Sequence, residues 1–239
     1  MVRARILETP RRTGRGERRI GVALLKLEPE AAVHAPETQR AGRARATSAG
    51  ELSHIALDLF FEHGFDETTV TDIARAAGIG RRTVFRYFPS KNDLAWGEFE
   101  TMLESMRSHL ATLPEDMPLQ AALRDAIIEF NRFPDDELHY HRERMRLLLN
   151  VPSLAAHSTL KYAAWREVVA EYVALRRHER PTDLVPRASA WICLGVCLSA
   201  YEQWLAADDA DLLELIDRAF ATTDGFGSAA AAESRAQRP

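Results

Sequence analysis

Thr68-Thr69-Val70-Thr71-Asp72-Ile73-Ala74-Arg75-Ala76-Ala77-Gly78-Ile79-Gly80-Arg81-Arg82-Thr83-Val84-Phe85-Arg86-Tyr87-Phe88-Pro89-Ser90-Lys91-Asn92-Asp93 is the stretch that decides the fold. Thr69 followed by Asp72 is a capping box, a hydroxyl residue with an acid three positions on, and it opens a helix. Ile73, Ala74 and Ala77 turn inward, and Gly78 permits the sharp turn of a helix-turn-helix, with Ile79 expected as its buried plug. A second short helix from about residue 80 to 88 presents Arg81, Arg82, Thr83 and Arg86. Ser90 and Asp93 form a second expected capping box, which opens a long helix.

Charge placement gives this stretch a partner. Between Thr69 and Lys91 stand five basic residues and one acid, Asp72. Arg81, Arg82 and Lys91 fall in first turns, where the helix dipole disfavours cations by a few tenths of a kcal/mol. Stability alone would not select them, whereas a phosphate shared with free helix N–H groups would. An arginine can also grip guanine O6 and N7 bidentately, and the Thr83 methyl suits thymine.

Outward from this segment the pattern stays helical. Leu52, Ile55, Ala56, Leu59 and Phe60 mark one helix face, ended by Gly64 and covered by Phe65. Phe99 to Leu113, Leu119 to Phe130, Leu138 to Leu149 and Leu160 to Tyr172 mark four more helices. The segment Trp191 to Leu205 is apolar on nearly all sides. Leu212, Leu215, Ile216, Ala219 and Phe220 form the last helix. No alternating strand pattern occurs, so the class is all-α. Of 239 residues, 46% are hydrophobic and 28% charged, which is ordinary for globular chains. The longest apolar run, Ala190 to Ala200, is shorter than the ~18 residues a membrane span needs, so no membrane role is expected. Cys193 and Cys197 read as buried thiols of a cytoplasmic protein.

The net charge of −4 hides an asymmetry. Residues 1–46 carry 11 basic and 5 acidic residues, against 20 and 30 in the rest. That extension reads as a disordered tail or a basic arm adding phosphate contacts. Residues 224–239, with Ala229 to Ala232, read as a frayed tail.

Thr68-Thr69-Val70-x-Asp72-Ile73-Ala74-x-x-Ala77-Gly78, Thr83, Tyr87-Phe88-Pro89-Ser90-Lys91 and Asp93-Leu94 together resemble the DNA-binding domain of TetR-family regulators. The resemblance implies a three-helix head over residues 47–106, its helix-turn-helix at 69–88. It also implies a helical effector-binding and dimerisation domain over 107–223, and a homodimer through residues 190–221. By residue it implies that Thr69 caps its helix and touches phosphate. Arg81, Arg82, Thr83 and Arg86 would occupy the recognition helix, and Tyr87 and Lys91 would contact phosphates. Gly80, Arg82 and Phe85 depart from the usual Ser, Gly and Tyr, removing possible phosphate contacts and altering the operator sequence.

A narrower resemblance extends to about residue 206. Gly78-Ile79-Gly80-Arg81-Arg82-Thr83, the run from Phe85 to Asp93, Trp96-Gly97, Phe130-Asn131-Arg132-Phe133-Pro134, His141-Arg142-Glu143-Arg144-Met145-Arg146, Ala156-His157-Ser158, Tyr162-x-x-Trp165-Arg166 and Ala200-Tyr201-Glu202-Gln203-Trp204 are similar to regulators of the mycofactocin system. This implies a repressor released by a long-chain acyl-coenzyme A. Phe99, Met102, Leu103, Phe130, Phe133, Met145, Leu149, Trp165 and Tyr172 are candidate pocket walls, with core packing the reading for most of them. His141, Arg142, Arg144, Arg146 and His157 read as a solvated basic face or as partners of an anionic head group. A regulator of drug efflux, which would need unpaired acids in its pocket, and a helical lipid-binding protein are the alternatives. Glu51-x-x-His54 is a lone pair and His139 and His141 point apart, so neither a metal nor a cofactor is expected. No phosphate loop or nucleophile elbow is present, and nothing supports catalysis.

Overall fold

Each predicted cap has a physical counterpart in the computed structural model, which describes residues 48–223. The expectations for residues 1–46 and 224–239 lie outside the described residues. Helix α1, Ala49–His63, starts on a complete capping box between Ser48 and Glu51 and stops at Gly64, whose φ is +87°. Phe65 is buried against Phe60, their rings 4.9 Å apart. Helix α2, Val70–Ala76, starts on the Thr69–Asp72 box. Gly78 then takes φ +67°, and the Ile79 N–H reaches back to the Ala74 carbonyl. Ile79 is half-buried at the core edge, not a plug, because the turn carries it to the surface.

Helix α3, Arg81–Tyr87, buries only Val84 within its span, and Phe88 anchors its end. Helix α4, Lys91–Trp96, is capped by the Ser90 hydroxyl. The second box is only half made. The Ser90 hydroxyl also donates to Asp93 at 2.6 Å, and that carboxylate turns to Lys161 and His157 in the body. The expected long helix is broken at Gly97, φ +64°, and resumes as α5, Phe99–Thr112. A Cβ at residue 97 would lie 3.2 Å from both Arg144 Nη2 and Ser53 Oγ, so glycine here serves a turn and a close approach at once.

The body continues with α6 (Leu119–Phe130), α7 (Asp135–Asn150), α8 (Pro152–Arg177), α9 (Leu184–Ala206) and α10 (residues 212–223). No strand occurs among the described residues, so the all-α expectation holds. Helices α8 and α9 pack together over much of their length, and α7 bridges them to α1 and α4. One continuous core runs from Leu52 and Ile73 in the head to Val169 and Cys197 in the body.

Two expectations need correction, and one helix face needs description. Leu160 is 68% exposed; α8 buries Leu154, Trp165, Val168, Val169 and Tyr172 instead. Helix α10 buries Leu212, Ile216 and Phe220 against its own chain, while Leu215 and Ala219 of its apolar stripe stay half-buried. Helix α9 is long and apolar enough to cross a membrane, contrary to the run-length reading. One side of it, however, is core: Cys193, Leu194, Cys197, Ala200, Tyr201 and Trp204 are buried. The other side exposes Trp191, Ile192, Gly195 and Ser199.

Candidate DNA interface and effector cleft

The arginines of α3 differ from most others in the molecule. Arg107, Arg124, Arg132, Arg146, Arg180 and Arg187 each face a carboxylate. Arg81, Arg82 and Arg86 are exposed and face none among the described residues. Arg86 leans over the Tyr87 ring at 5.3 Å. Phe85 is 44% exposed beside them, while Thr83 is half-buried. A seven-residue helix held by Val84 and Phe88 thus projects three free guanidinium groups and an aromatic edge into solvent. That is the equipment direct readout of a major groove needs. Its N-cap, Gly80, makes no side-chain bond.

Thr69 is exposed at the start of α2, where its oxygen accepts the Asp72 N–H at 3.2 Å. The Thr69 hydroxyl, its backbone N–H and Arg75 hold the Asp72 carboxyl below its usual range. Lys91 does something the sequence did not suggest. Its ammonium donates to the carbonyls of Phe65 (2.8 Å), Thr68 (3.2 Å) and Asp66 (3.4 Å) and sits 4.2 Å from the Phe65 ring centre. It clasps the α1–α2 connection to the start of α4.

The candidate pocket residues divide. A cleft of about 550 Å³ opens where α1 meets the body, and Met102, Phe130, Phe133 and Arg144 line it with Ser53, His54, Trp96, Gly97 and Glu137. A second cavity of about 60 Å³ lies deeper, walled by Phe99, Phe130, Met145, Trp165, Tyr162, Leu198 and Tyr201. Trp96 and Phe130 line both. Leu103 is core, and neither it nor the half-buried Leu149 lines these spaces. Tyr172 faces a separate surface groove with Arg107 and Arg176.

The basic cluster does not assemble, because the helical period sends its members apart. Arg142 caps the end of α9, donating to the carbonyls of Trp204 (2.8 Å) and Ala207 (3.2 Å). Arg146 pairs with Glu143 and Asp208 outside both cavities. His157 faces Asp93, which burial raises but bonds from Ser90 and Lys161 hold below its usual range. His141 is buried: its Nε2 pairs with the Tyr201 hydroxyl at 2.8 Å, and that hydroxyl donates to Asn131 at 2.5 Å. Burial, then the Arg144 charge, push this imidazole down to about 3. Glu51 and His54 serve local roles, Glu51 closing the α1 capping box and His54 pairing with Glu137 at 3.0 Å.

The profile of bacterial regulatory proteins, tetR family, matches residues 54–95, and that of the MftR C-terminal domain matches residues 117–225. The proposed mycofactocin biosynthesis transcriptional regulator MftR of Mycobacterium tuberculosis is 46% identical over 185 residues, which cover 77% of this chain and 93% of that protein. The chain belongs to the TetR family of transcriptional regulators. Within that family it carries the MftR type of C-terminal domain. The HTH-type transcriptional regulator TcmR of Streptomyces glaucescens is 29% identical over 68% of this chain and 75% of its own. Two solved regulator structures share the fold. The FadR regulator of Bacillus halodurans superposes with a TM-score of 0.53 at 17% identity, over 74% of this chain and 95% of its own. That of Bacillus subtilis, solved with stearoyl-CoA, gives 0.51 at 19%, over 71% and 94%.

Ser53, His54, Trp96, Gly97 and Glu137 are among the cleft residues that sequence reasoning did not assign to the site. They come from α1, the end of α4 with its C-cap, and α7, far apart in the chain, and no spacing rule joins them. Trp96, Gly97, Asn131 and Tyr201 stood inside the blocks similar to mycofactocin regulators, which was the available signal.

Proposed function

We propose that this TetR-family protein is a homodimeric, cytoplasmic repressor of mycofactocin-system genes, released from a near-palindromic operator by a long-chain acyl-coenzyme A. It acts by binding and not by catalysis. The observation that carries the reading is the 46% identity to the Mycobacterium tuberculosis protein over nearly its whole length, joined to the three unpaired arginines of α3. In this reading residues 47–106 form the DNA-binding head and 107–223 the effector and dimer domain. Thr69, Arg81, Arg82, Thr83, Arg86 and Tyr87 meet the operator.

The dimer face is the exposed side of α8 and α9. Leu175, Leu184, Val185, Trp191 and Ile192 are all more than 40% exposed in the single chain. Such a row of large apolar side chains marks an association surface. The effector contacts would be Met102, Phe130 and Phe133 in the cleft and Phe99, Met145 and Trp165 in the inner cavity. A sensor of cationic drugs is the second reading, favoured by Glu98, which lines the cleft without an ion pair among the described residues, while Glu137 and Glu129 there are paired with His54 and Arg132. The test is a titration of acyl-coenzyme A esters of increasing chain length against the protein bound to DNA from upstream of the mycofactocin genes. Release should sharpen with chain length, because each buried methylene contributes about 0.8 kcal/mol. A flat series, or release by free coenzyme A, refutes the acyl effector.

A further inference from the structure

Ser153, His157 and Lys161 stand four residues apart on α8, so the helical period aligns them in one stripe. Each reaches an acid that belongs to the head. Ser153 Oγ donates to Asp66 at 3.4 Å, and His157 Nε2 meets Asp93 Oδ1 at 3.2 Å. Lys161 Nζ lies 3.0 Å from that same Asp93 oxygen and 2.6 Å from Glu100 Oε1. The three acids come from the α1–α2 connection, the first turn of α4 and the first turn of α5. The Asp93 contact is sheltered. Side-chain exposure is 14% for Asp93, 12% for Lys161 and 19% for His157, against 26% and 39% in the His54–Glu137 pair that joins α1 to α7. Solvent screens an ion pair less as exposure falls, so the α8 contact is the firmer of the two.

A second helix of the head shows what Asp93 would otherwise do. Asp72 and Asp93 occupy the same place in the same motif, three residues after the hydroxyl residue that caps the helix. Asp72 accepts the Thr69 backbone N–H at 3.1 Å and closes its own box. Asp93 accepts the Ser90 hydroxyl at 2.6 Å on one oxygen and gives the other to α8. A carboxylate that serves its own helix in α2 is turned to the body in α4. Helix α8 also carries Leu160, next to Lys161, and Leu175, which are 68% and 70% exposed. The helix that offers this apolar side to a second copy therefore holds the head by another.

We infer that His157 and Lys161 are positioning residues for DNA binding: through Asp93 they fix the tilt of the head against α8, and with it the separation of the two recognition helices in a dimer. The inference rests on the homodimeric regulator reading above and adds what sets the operator's half-site spacing. Neither residue touches DNA in it. One base pair moves two half-sites apart by about 3.4 Å and rotates them by about 35°. A head free to tilt accommodates several spacings, whereas a head clamped at Asp93 accepts one.

Fluorescence anisotropy with three DNA duplexes tests this: the same half-sites at the spacing selected from a random pool, one base pair closer and one base pair farther. Wild-type protein should prefer one spacing by about tenfold or more, the worth of one charge-assisted bond. Lys161→Gln and the milder His157→Gln should bring that preference to within about threefold, and Lys161→Arg, which keeps the charge, should retain it. Asp93→Asn added to Lys161→Gln should cost no more than Lys161→Gln alone, since both act through one contact. Arg107→Gln breaks the 3.1 Å pair with Glu171 elsewhere on α8 and should leave the preference whole. A merely structural role would lower affinity for all three spacings alike. That uniform loss, a preference that survives in folded Lys161→Gln, or wild-type protein indifferent to spacing overturns the proposal. If Lys161→Gln does not fold, the same outcomes are read from His157→Gln. Spin labels on Glu67→Cys, an exposed head position, report the tilt without DNA, because Cys193 and Cys197 are buried and stay unlabelled. Wild-type protein should give one narrow distance across the dimer and Lys161→Gln a broader one; equal widths overturn the proposal. No distance at all would remove the homodimer and the inference with it. Failure to bind any operator, beside a distance that broadens in Lys161→Gln, would remove the regulator reading and leave the clamp standing.

Discussion

Replacing Lys91 by Met removes three hydrogen bonds from an ammonium to the carbonyls of Phe65, Asp66 and Thr68 and a contact with the Phe65 ring. The methionine keeps the apolar stem, so packing along the chain is largely conserved. Hydrogen bonds to charged groups contribute about 1.5–3 kcal/mol each when shielded. Lys91 is only half-buried and its longest bond is 3.4 Å, so solvent screening cuts the total well below three full-strength bonds, to about 2 kcal/mol in all. For a chain of this size that lowers the melting temperature by roughly 4–8 °C. A phosphate-contacting lysine, the role implied by the family resemblance, predicts something different. It would leave the melting temperature alone and reduce the salt dependence of DNA binding by about one unit per phosphate lost. Thermal unfolding by circular dichroism and operator binding across a salt series, on the same variant, distinguish the two. The structural account expects a clear loss of stability with an unchanged salt slope. An unchanged melting temperature with a reduced slope would refute it.

Three further outcomes follow from the geometry. His141 is held neutral to about 3 in the folded protein against 6.5 when free, so the unfolded chain takes up its proton first. Its contribution to stability is complete above 6.5 and is lost as pH falls toward 3, amounting to about 2 kcal/mol by about pH 5; His141→Gln should flatten this part of the urea-unfolding profile, and an unaltered profile would contradict the burial argument. Gly195 has no atom within 4 Å of where a Cβ would stand. Gly195→Leu should therefore keep the melting behaviour of the single chain but weaken the dimer, and sedimentation as an unperturbed dimer would exclude this face. Arg142→Ala removes the cap on α9 and the stack over Trp204 at 4.3 Å; a loss of about 2 kcal/mol in chemical unfolding is expected, and no loss would show the cap to be dispensable.

The head was legible because its signals are local. Thr69 with Asp72, Gly64 with Phe65 and Gly78 each act within a few residues, and the structure builds them as the pattern implies. Gly97 was missed because its demand is tertiary: it is set by Arg144 and Ser53, which stand dozens of positions away along the chain. The basic run on α7 misled for a related reason. His141, Arg142, Arg144 and Arg146 are neighbours in sequence, but a helix turns them toward Tyr201, the end of α9, the cleft and Asp208 respectively. Apolar periodicity could mark Phe130 and Trp165 as inward, but it could not tell a cavity wall from the core around Leu103.

The central claim is that the unpaired face of α3 reads DNA sequence. Selection of bound fragments from a random double-stranded pool, followed by affinity measurement on the recovered site with wild-type protein, Arg82→Ala and Arg86→Ala, tests it most directly. The account predicts recovery of a near-palindromic sequence bound with a Kd of about 10⁻⁸ M or tighter. It also predicts that each alanine variant costs about 1–3 kcal/mol and relaxes preference at particular base pairs. Recovery of no shared sequence, with every fragment bound only at the roughly 10⁻⁴–10⁻⁶ M typical of non-specific contact, would contradict it.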